Sequence, residues 1–208
     1  MPLWRSTPPG TPEDDPREPR PLPSPQDLRV LLGTARRAVA AAAGLRPGPE
    51  PDPTTLPPVC SQTWASFVTL TQAGRLRGCI GSLEPRRALV EDVAQNARAA
   101  ATRDPRFPPV APEELDDLEI EVSVLGPVVP LPVTGRADAL DRLHPGMGAV
   151  LRYGGRRGTL LPQVWSRVAG AEEFLDVLLA KAGLPPGFWS EQVELATYGV
   201  VEVREGET

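Results

Sequence analysis

The segment Leu76-Arg77-Gly78-Cys79-Ile80-Gly81 places a thiol between two glycines and two residues after a guanidinium group. A fixed positive charge near a cysteine favours the thiolate, which is the nucleophilic form. Glycine lets the backbone bend and lets another group approach it closely. We therefore take Cys79 as the candidate nucleophile or redox thiol and Arg77 as its electrostatic partner. The same pattern also fits a small buried cysteine beside a solvated strand arginine.

Two further polar side chains extend this candidate site. Arg106 follows Asp104 in a short loop sequence, and together with Arg77 it could hold a carboxylate or a phosphate. Asp104 could equally cap the loop or pair with a neighbouring arginine. Gln163 follows Pro162 in an otherwise apolar run, so its amide needs a partner in the backbone or in a ligand.

Other catalytic arrangements have weaker support. A Cys–His pair would need His144, the only histidine, which lies in a predicted loop before Pro145-Gly146. Cys60, Cys79 and His144 do not have zinc-ligand spacing, and the glycines at 154–158 fit a hairpin turn rather than a phosphate loop. We expect no metal and no cofactor. Glu119 and Glu121 share a strand face, either as an acid pair or, more simply, as a solvated surface.

The bulk composition excludes several classes of protein. The chain has 208 residues, 40% of them hydrophobic, and a net charge of −5, with a pI of about 5.1. Nucleic-acid capture and docking on an anionic membrane both need concentrated basic charge, so neither is favoured. With two cysteines, no secretory signal and no long apolar run, we expect a cytoplasmic protein with reduced thiols.

Proline divides the chain into regions. Residues 1–25 are proline-rich and lack apolar periodicity, which predicts a disordered tail. Residues 46–58 predict a proline-rich surface loop inside a single domain over 26–208.

Within that domain, apolar spacing predicts a mixture of helices and hairpins without regular βαβ alternation, which is an α+β fold with mainly antiparallel sheets and flanking helices. Ser24 and Pro25 are expected at the start of the first helix. Cys79 is expected a few residues ahead of a helix N-terminus, whose partial positive charge favours anions. The predicted helices are 26–43, 86–102, 136–143 and 171–182, and the predicted strands are 64–71, 76–80, 118–125, a hairpin over 148–161 and a closing strand over 193–203.

Several segments in order along the chain resemble the AMMECR family, whose prokaryotic members are called AmmeMemoRadiSam system protein A. The matching segments are Phe67-Val68-Thr69-Leu70, Leu76–Gly81, Asn96-Ala97, Arg103–Phe107, Glu114-Leu115, Leu118–Leu125, Leu160–Val164, Phe174-Leu175 and Lys181–Leu184. The resemblance covers the chain from about Ser24 onward.

The resemblance implies an α+β fold in two lobes with a cleft, and it places the Arg-Gly-Cys segment at that cleft. It also implies an association with a Memo-like protein and a radical-SAM enzyme. The expected function is an enzyme or enzyme component that binds a small anionic ligand; a non-catalytic assembly module is the alternative, and nucleic-acid binding ranks third. The candidate ligand-binding residues on the matching segments are Gly78, Ile80, Gly81, Asn96, Arg106 and Gln163.

The sequence departs from the family pattern after Gln163. Family members have an acidic residue and a Trp-Asp pair in this region, whereas this chain reads Trp165-Ser166-Arg167-Val168. If an acid is needed there, Glu172 is the nearest candidate.

Overall fold

The computed structural model describes residues 22–49 and 55–206. Most of the predicted tail and part of the predicted proline-rich loop therefore lie outside the described residues. Leu22 and Pro23, which the sequence assigned to the tail, belong to the folded domain. Pro23 is buried, and the side chain of Leu22 packs against the backbone at Gly126 and Gly199.

The predicted helices and hairpins are present in the predicted order, and the structure adds one short strand, Val129–Pro130, that was not predicted. The Ser24 hydroxyl accepts a hydrogen bond from the Asp27 N–H at 3.2 Å, and Pro25 opens the first helix, as expected. The helices are α1 (Pro25–Ala42), α2 (Leu89–Thr102), α3 (Arg136–Arg142) and α4 (Ala171–Lys181). The strands are β1 (Ala65–Gln72), β2 (Arg75–Gly81), β3 (Leu118–Leu125), β4 (Val129–Pro130), β5 (Gly148–Tyr153), β6 (Arg156–Leu160), β7 (Glu194–Tyr198) and β8 (Val200–Arg204).

The first lobe is a four-stranded antiparallel sheet in the order β2-β1-β3-β8, covered on one face by α1 and α2. Strand residues alternate between the two faces of a sheet. The inner face therefore carries the aliphatic residues, and Val68, Leu70, Ile120 and Val122 are fully buried there. The face opposite the helices, which we call the outer face, carries the intervening residues of the same strands.

The second lobe is a sheet in the order β4-β7-β5-β6 with α4 packed on it. Phe174, Leu178 and Leu179 of α4 are fully buried in its core. The two lobes meet through a third apolar cluster that contains Ala65 and Leu125 of the first sheet with Val150 and Tyr198 of the second. The α+β fold predicted from the sequence is confirmed.

The predicted closing strand over 193–203 is wrong as a single element. Its first half is β7 in the second sheet and its second half is β8 in the first sheet, with the break at Gly199. The sequence did not indicate this change of sheet. Side chains alternate between the two faces with a period of two in both halves, so the pattern continues unbroken through Gly199. The C-terminal segment thus connects the two lobes directly.

The position of α2 also corrects an expectation. The helix begins at Leu89 rather than at residue 86. Its C-terminal part lies beside β2, since a Cβ atom built on Gly78 would be 2.3 Å from the Ala100 carbonyl oxygen. The N-terminal dipole of α2 is therefore not aimed at Cys79. The C-terminal end of a helix carries partial negative charge, which does not stabilise a thiolate.

The outer face of β3 is less exposed to solvent than the alternation of apolar and polar residues along this strand indicated. Glu119 is exposed as expected, but Glu121 is only 9% exposed and Ser123 is 1% exposed. None of the helices within residues 22–49 and 55–206 combines the length and apolar character needed to cross a membrane.

Gly78→Ala tests the close contact between β2 and α2. We expect it to lower the free energy of unfolding by about 2–3 kcal/mol, because a Cβ there would overlap a helix carbonyl that cannot move independently. Denaturant titration of both proteins measures this change. The matched control is Gly33→Ala on the exposed side of α1, where the nearest atom is a flexible arginine terminus at 3.7 Å and where we expect a gain of up to about 1 kcal/mol. Equal stabilities for Gly78→Ala and the wild-type protein would contradict the contact.

Candidate functional site

The strand register places four polar side chains in one row across the outer face. Thr69 of β1 pairs with Cys79 of β2 on one side and with Glu121 of β3 on the other, and Glu121 pairs with Arg204 of β8. Directly paired residues project from the same face of a sheet. The row therefore consists, in order across the sheet, of a thiol, a hydroxyl, a carboxylate and a guanidinium group. At one end of the row, Arg204 Nε donates a hydrogen bond to Glu121 Oε2 at 3.1 Å.

The Cys79 sulfur is half-buried and takes part in a hydrogen bond within this row. Thr69 Oγ1 donates to Cys79 Sγ at 3.3 Å. Cys60 is buried, and its burial together with the nearby Asp27 raises the pKa of its thiol.

Asp104 and Arg106 hold the backbone of Cys79 at the free edge of β2. The Cys79 N–H donates to Asp104 Oδ2 at 2.9 Å, and Arg106 Nη2 donates to the Cys79 carbonyl oxygen at 3.4 Å. Arg106 also binds both carboxylate oxygens of Asp104, through Nε at 2.9 Å and Nη2 at 2.6 Å. The guanidinium and the Cys79 and Arg106 backbone N–H groups hold the pKa of Asp104 far below its usual range. The pairing between Asp104 and a neighbouring arginine is confirmed, and it closes an otherwise open strand edge.

Arg77 is engaged by the loop that follows α2. The pairing of β1 with β2 shifts beside this residue, because Gly78 opposes Leu70 whereas Leu76 opposes Thr71. The Arg77 side chain donates to Glu114 from Nε at 2.7 Å and from Nη2 at 3.0 Å.

Arg77 Nη1 and Nη2 also donate to the carbonyl oxygens of Pro108 and Pro109. The same guanidinium lowers the pKa of Glu114. All three side-chain nitrogens of Arg77 therefore bind loop acceptors, and the contacts of Arg77 fasten the loop to β2.

The sheet separates the remaining motif residues. Gly78 and Ile80 lie on the inner face against the helices, as does Asn96 of α2. Asn96 Nδ2 donates to the Ser66 carbonyl and hydroxyl oxygens at 3.0 Å and to Asp92 Oδ2 at 2.9 Å. This network is buried, so the structure does not bring Asn96 to the thiol. Gly81 lies on the outer face, where a Cβ would be 2.3 Å from the ring of Phe67.

Gln163 approaches the outer face from the second lobe. It lies on the 3-10 helix Pro162–Arg167, and its Nε2 donates to Glu202 of β8. Its Oε1 is buried and accepts no hydrogen bond from any described residue. A shallow cavity of about 340 Å³ is present here; it is lined by Gly146, Pro162, Gln163, Val200 and Glu202.

The weaker candidates lie elsewhere. His144 is an exposed loop residue of the second lobe, and its Nδ1 is 3.1 Å from the Pro145 carbonyl oxygen. Glu172 is at the exposed start of α4, 3.2 Å from Arg136. Within the part of the chain that the structure describes, no three His, Cys, Asp or Glu residues come together as metal ligands.

Sequence reasoning missed the role of Thr69 and the buried Ser66–Asp92–Asn96 network. Ser66 Oγ donates to Asp92 Oδ2 at 2.6 Å across 26 residues of sequence. Alternation along β1 identified which residues share a face, but only the register with β2 shows which of them contacts the cysteine.

The fold and this row of side chains define an α+β protein of two antiparallel sheets with a half-buried thiol on one sheet face. The profile of the family described as AMMECR1 matches residues 32–203. The chain belongs to the AMMECR1 family, as the resemblance indicated.

Individual relatives agree with this assignment. A Methanothermobacter thermautotrophicus protein is 50% identical over 136 residues, which are 64% of this chain and 71% of that protein. A Methanosarcina acetivorans protein is 38% identical over 172 residues, 80% of this chain and 85% of its own length. The crystal structure of an uncharacterized protein from Pyrococcus horikoshii has a TM-score of 0.77 at 34% identity, covering 87% of this chain and 92% of that one.

Asp104→Asn tests the hydrogen bond that the Cys79 backbone N–H donates to the Asp104 carboxylate. Because the folded-state pKa of Asp104 is depressed, its carboxylate stabilises the fold above its unfolded pKa, and this contribution is lost as pH falls through the folded pKa. We expect Asp104→Asn to lower the free energy of unfolding by about 2 kcal/mol at pH 7. The difference in this free energy between the variant and the wild-type protein should become smaller below about pH 4.

Denaturant titrations of both proteins between pH 7 and pH 3 measure that difference. Asp116→Asn, at an exposed acid in the same lobe, is the control. A difference for Asp104→Asn that widens as the solution becomes more acidic would contradict the assigned role.

Proposed function

We propose that this chain is an enzyme, or the thiol-bearing component of an enzyme system, that binds a small anionic ligand at Cys79 on the outer face of the first sheet. The observation that carries the proposal is the hydrogen bond from Thr69 Oγ1 to the half-buried Cys79 sulfur. A cysteine that is only a core residue needs no donor at its sulfur, whereas a nucleophile gains from one. Cys79 is the nucleophile or redox thiol in this proposal.

Arg106 is the group that holds the anion. Its side chain is 53% exposed, while the carboxylate of Asp104 beneath it is 2% exposed. A guanidinium group that is held in place by a buried carboxylate and is half exposed to solvent can bind a carboxylate or a phosphate with little loss of side-chain entropy. Arg77 then supports the site through the loop, since its nitrogens already bind Glu114 and two carbonyl groups.

The AMMECR1 family membership supports a second part of the proposal, which is joint action with a Memo-like protein and a radical-SAM enzyme. The chain supplies the thiol and the anion-binding arginine, and its partners supply the redox chemistry. The acidic net charge of −5 favours small-molecule ligands and protein partners over nucleic acid.

Alkylation by iodoacetamide tests the thiol. We expect Cys79 to react at least about tenfold faster than Cys60, which is 1% exposed. We also expect Thr69→Val to slow the reaction at pH 7 about fivefold, because the thiolate loses one hydrogen bond. Mass spectrometry of the labelled peptides gives both rates.

Thr71→Val, two residues along the same face of β1, is the matched control and should react like the wild-type protein. A Cys79 that labels no faster than Cys60, or no faster than a thiol of the denatured chain, would refute the proposed nucleophile.

A non-catalytic assembly module is the second candidate, and the contacts of the motif favour it specifically. Arg77 binds the loop, Gly78 packs on α2 and Asp104 binds a backbone N–H, so these residues already have structural roles. In that case Cys79→Ser should keep both partner binding and partner activity. Co-purification with the Memo-like and radical-SAM proteins, followed by activity assays of the complex, separates the candidates: binding kept with activity lost supports the enzyme.

A further inference from the structure

The free edge of β2 carries a backbone donor that has no acceptor among the described residues. The Ser82 N–H donates to the Ser66 carbonyl oxygen, so Gly81 is the next, non-hydrogen-bonded position of this antiparallel ladder. The Gly81 N–H therefore points away from β1, as does the Cys79 N–H two residues earlier. The Cys79 N–H donates to Asp104, whereas the half-buried Gly81 N–H is available to an acceptor outside the chain.

Arg106 lies next to this N–H. Its Nη2 donates to the Cys79 carbonyl oxygen at 3.4 Å. That oxygen and the Gly81 N–H leave the same edge between the Cα atoms of their two residues, which are about 7 Å apart along the strand. Arg106 binds Asp104 through Nε and Nη2, and its Nη1 donates to no acceptor in the described part of the chain. We call the Gly81 N–H, the Cys79 carbonyl group and the Arg106 guanidinium group the edge notch.

The charge of the edge notch suits a ligand group with a single negative charge. Asp104 already neutralises Arg106, because its pKa is held far below its usual range and its carboxylate is 2% exposed. A carboxylate can accept one N–H from Gly81 and one from Arg106 Nη1. A dianion would place a second negative charge near Asp104 without a further cation, since Arg77 is already bound by Glu114 and two carbonyl groups.

Cys79 connects the edge notch with the outer face. Its carbonyl group belongs to the notch, while its side chain projects from the outer face beside Thr69. Asp104 and, after it, Cys79 raise the pKa of the Arg106 guanidinium group, which agrees with a sulfur atom close to this cation. A carboxylate in the notch therefore brings the first atoms of the ligand beyond that carboxylate next to the sulfur.

We propose that the edge notch binds the carboxylate of a small monoanionic ligand and holds the carbon next to that carboxylate against Cys79. The ligand class is a short carboxylic acid whose reactive position is at this carbon or adjacent to it. This inference rests on the proposed function, because it names the anion that Arg106 binds and the part of the ligand that reaches the thiol.

Two alkylating reagents of nearly equal size test the edge notch. Iodoacetate has a carboxylate where iodoacetamide has a neutral amide. With either reagent the Cys79 sulfur forms a bond to the CH₂ carbon, iodide leaves, and the thiol proton passes to the solvent. We expect the ratio of the iodoacetate rate to the iodoacetamide rate at Cys79 to be at least about tenfold higher in the folded chain than in the urea-unfolded chain. Equal ratios would overturn the proposal.

Arg106→Lys tests the guanidinium group, with peptide mass spectrometry as the measurement. Lysine keeps a positive charge beside Asp104 but lacks the planar set of donors, so this variant should lower the rate ratio at least about threefold. Arg103→Lys, at an exposed arginine of the same loop, is the matched control and should keep the wild-type ratio. Slow labelling of the buried Cys60 shows that each variant is folded. An unchanged ratio in Arg106→Lys would refute the role of this side chain.

Competition between salts tests the preference for a carboxylate. Iodoacetamide alkylation of Cys79 is measured in sodium propionate, sodium sulfate and sodium chloride at equal ionic strength, so that screening of charges is the same. We expect propionate to slow the reaction at least about threefold more than sulfate or chloride does. Equal rates in the three salts, or stronger protection by sulfate, would contradict a notch for a monoanionic carboxylate.

The two rates at Cys79 also separate this inference from the proposed function. Fast alkylation by iodoacetamide without a preference for iodoacetate contradicts only the edge notch. A raised rate ratio at a Cys79 that iodoacetamide labels no faster than Cys60 contradicts only the thiol chemistry. A Cys79 that reacts with neither reagent contradicts both.

Discussion

Strand β2 approaches helix α2 so closely at Gly78 that only a residue without a side chain fits against the Ala100 carbonyl group. This contact orients the strand, because a slip of one residue would turn the Cys79 side chain into the helix and turn an apolar residue outward. With Gly78 on the inner face, Cys79 must lie on the outer face beside Thr69. The position of the thiol therefore follows from a packing contact on the other side of the sheet.

The loop after α2 then holds this arrangement at an edge that would otherwise be unpaired. Asp104 and Arg106 bind the N–H and carbonyl groups of Cys79, and Arg77 binds the loop through Glu114 and two prolines. Arg77 and Arg106, the two arginines of the candidate site, therefore have different roles. Arg77 is largely surrounded, with a side chain that is 12% exposed, whereas Arg106 remains half exposed above its carboxylate.

The second lobe completes the outer face through two connections. The C-terminal segment passes from β7 in one sheet to β8 in the other, and it brings Glu202 and Arg204 next to β3. Gln163 arrives from the second lobe and binds Glu202. The same crossing reduces the exposure of Glu121 and Ser123, which alternation alone had placed on a wet surface.

The amino-acid sequence by itself determined the order of elements, the α+β class and the family, because apolar periodicity and short motifs are local properties of the chain. It also singled out Cys79 as the candidate nucleophile, which stays a prediction, and it gave the pairing of Asp104 with an arginine as one of two alternatives, of which the structure confirms the pairing with Arg106. Only the tertiary structure decided that Asn96 binds Ser66 on the face opposite the thiol, that Arg77 binds Glu114, and that residues 193–203 divide between two sheets. These contacts join residues far apart in the chain, and register and packing between elements determine them, which no local pattern encodes.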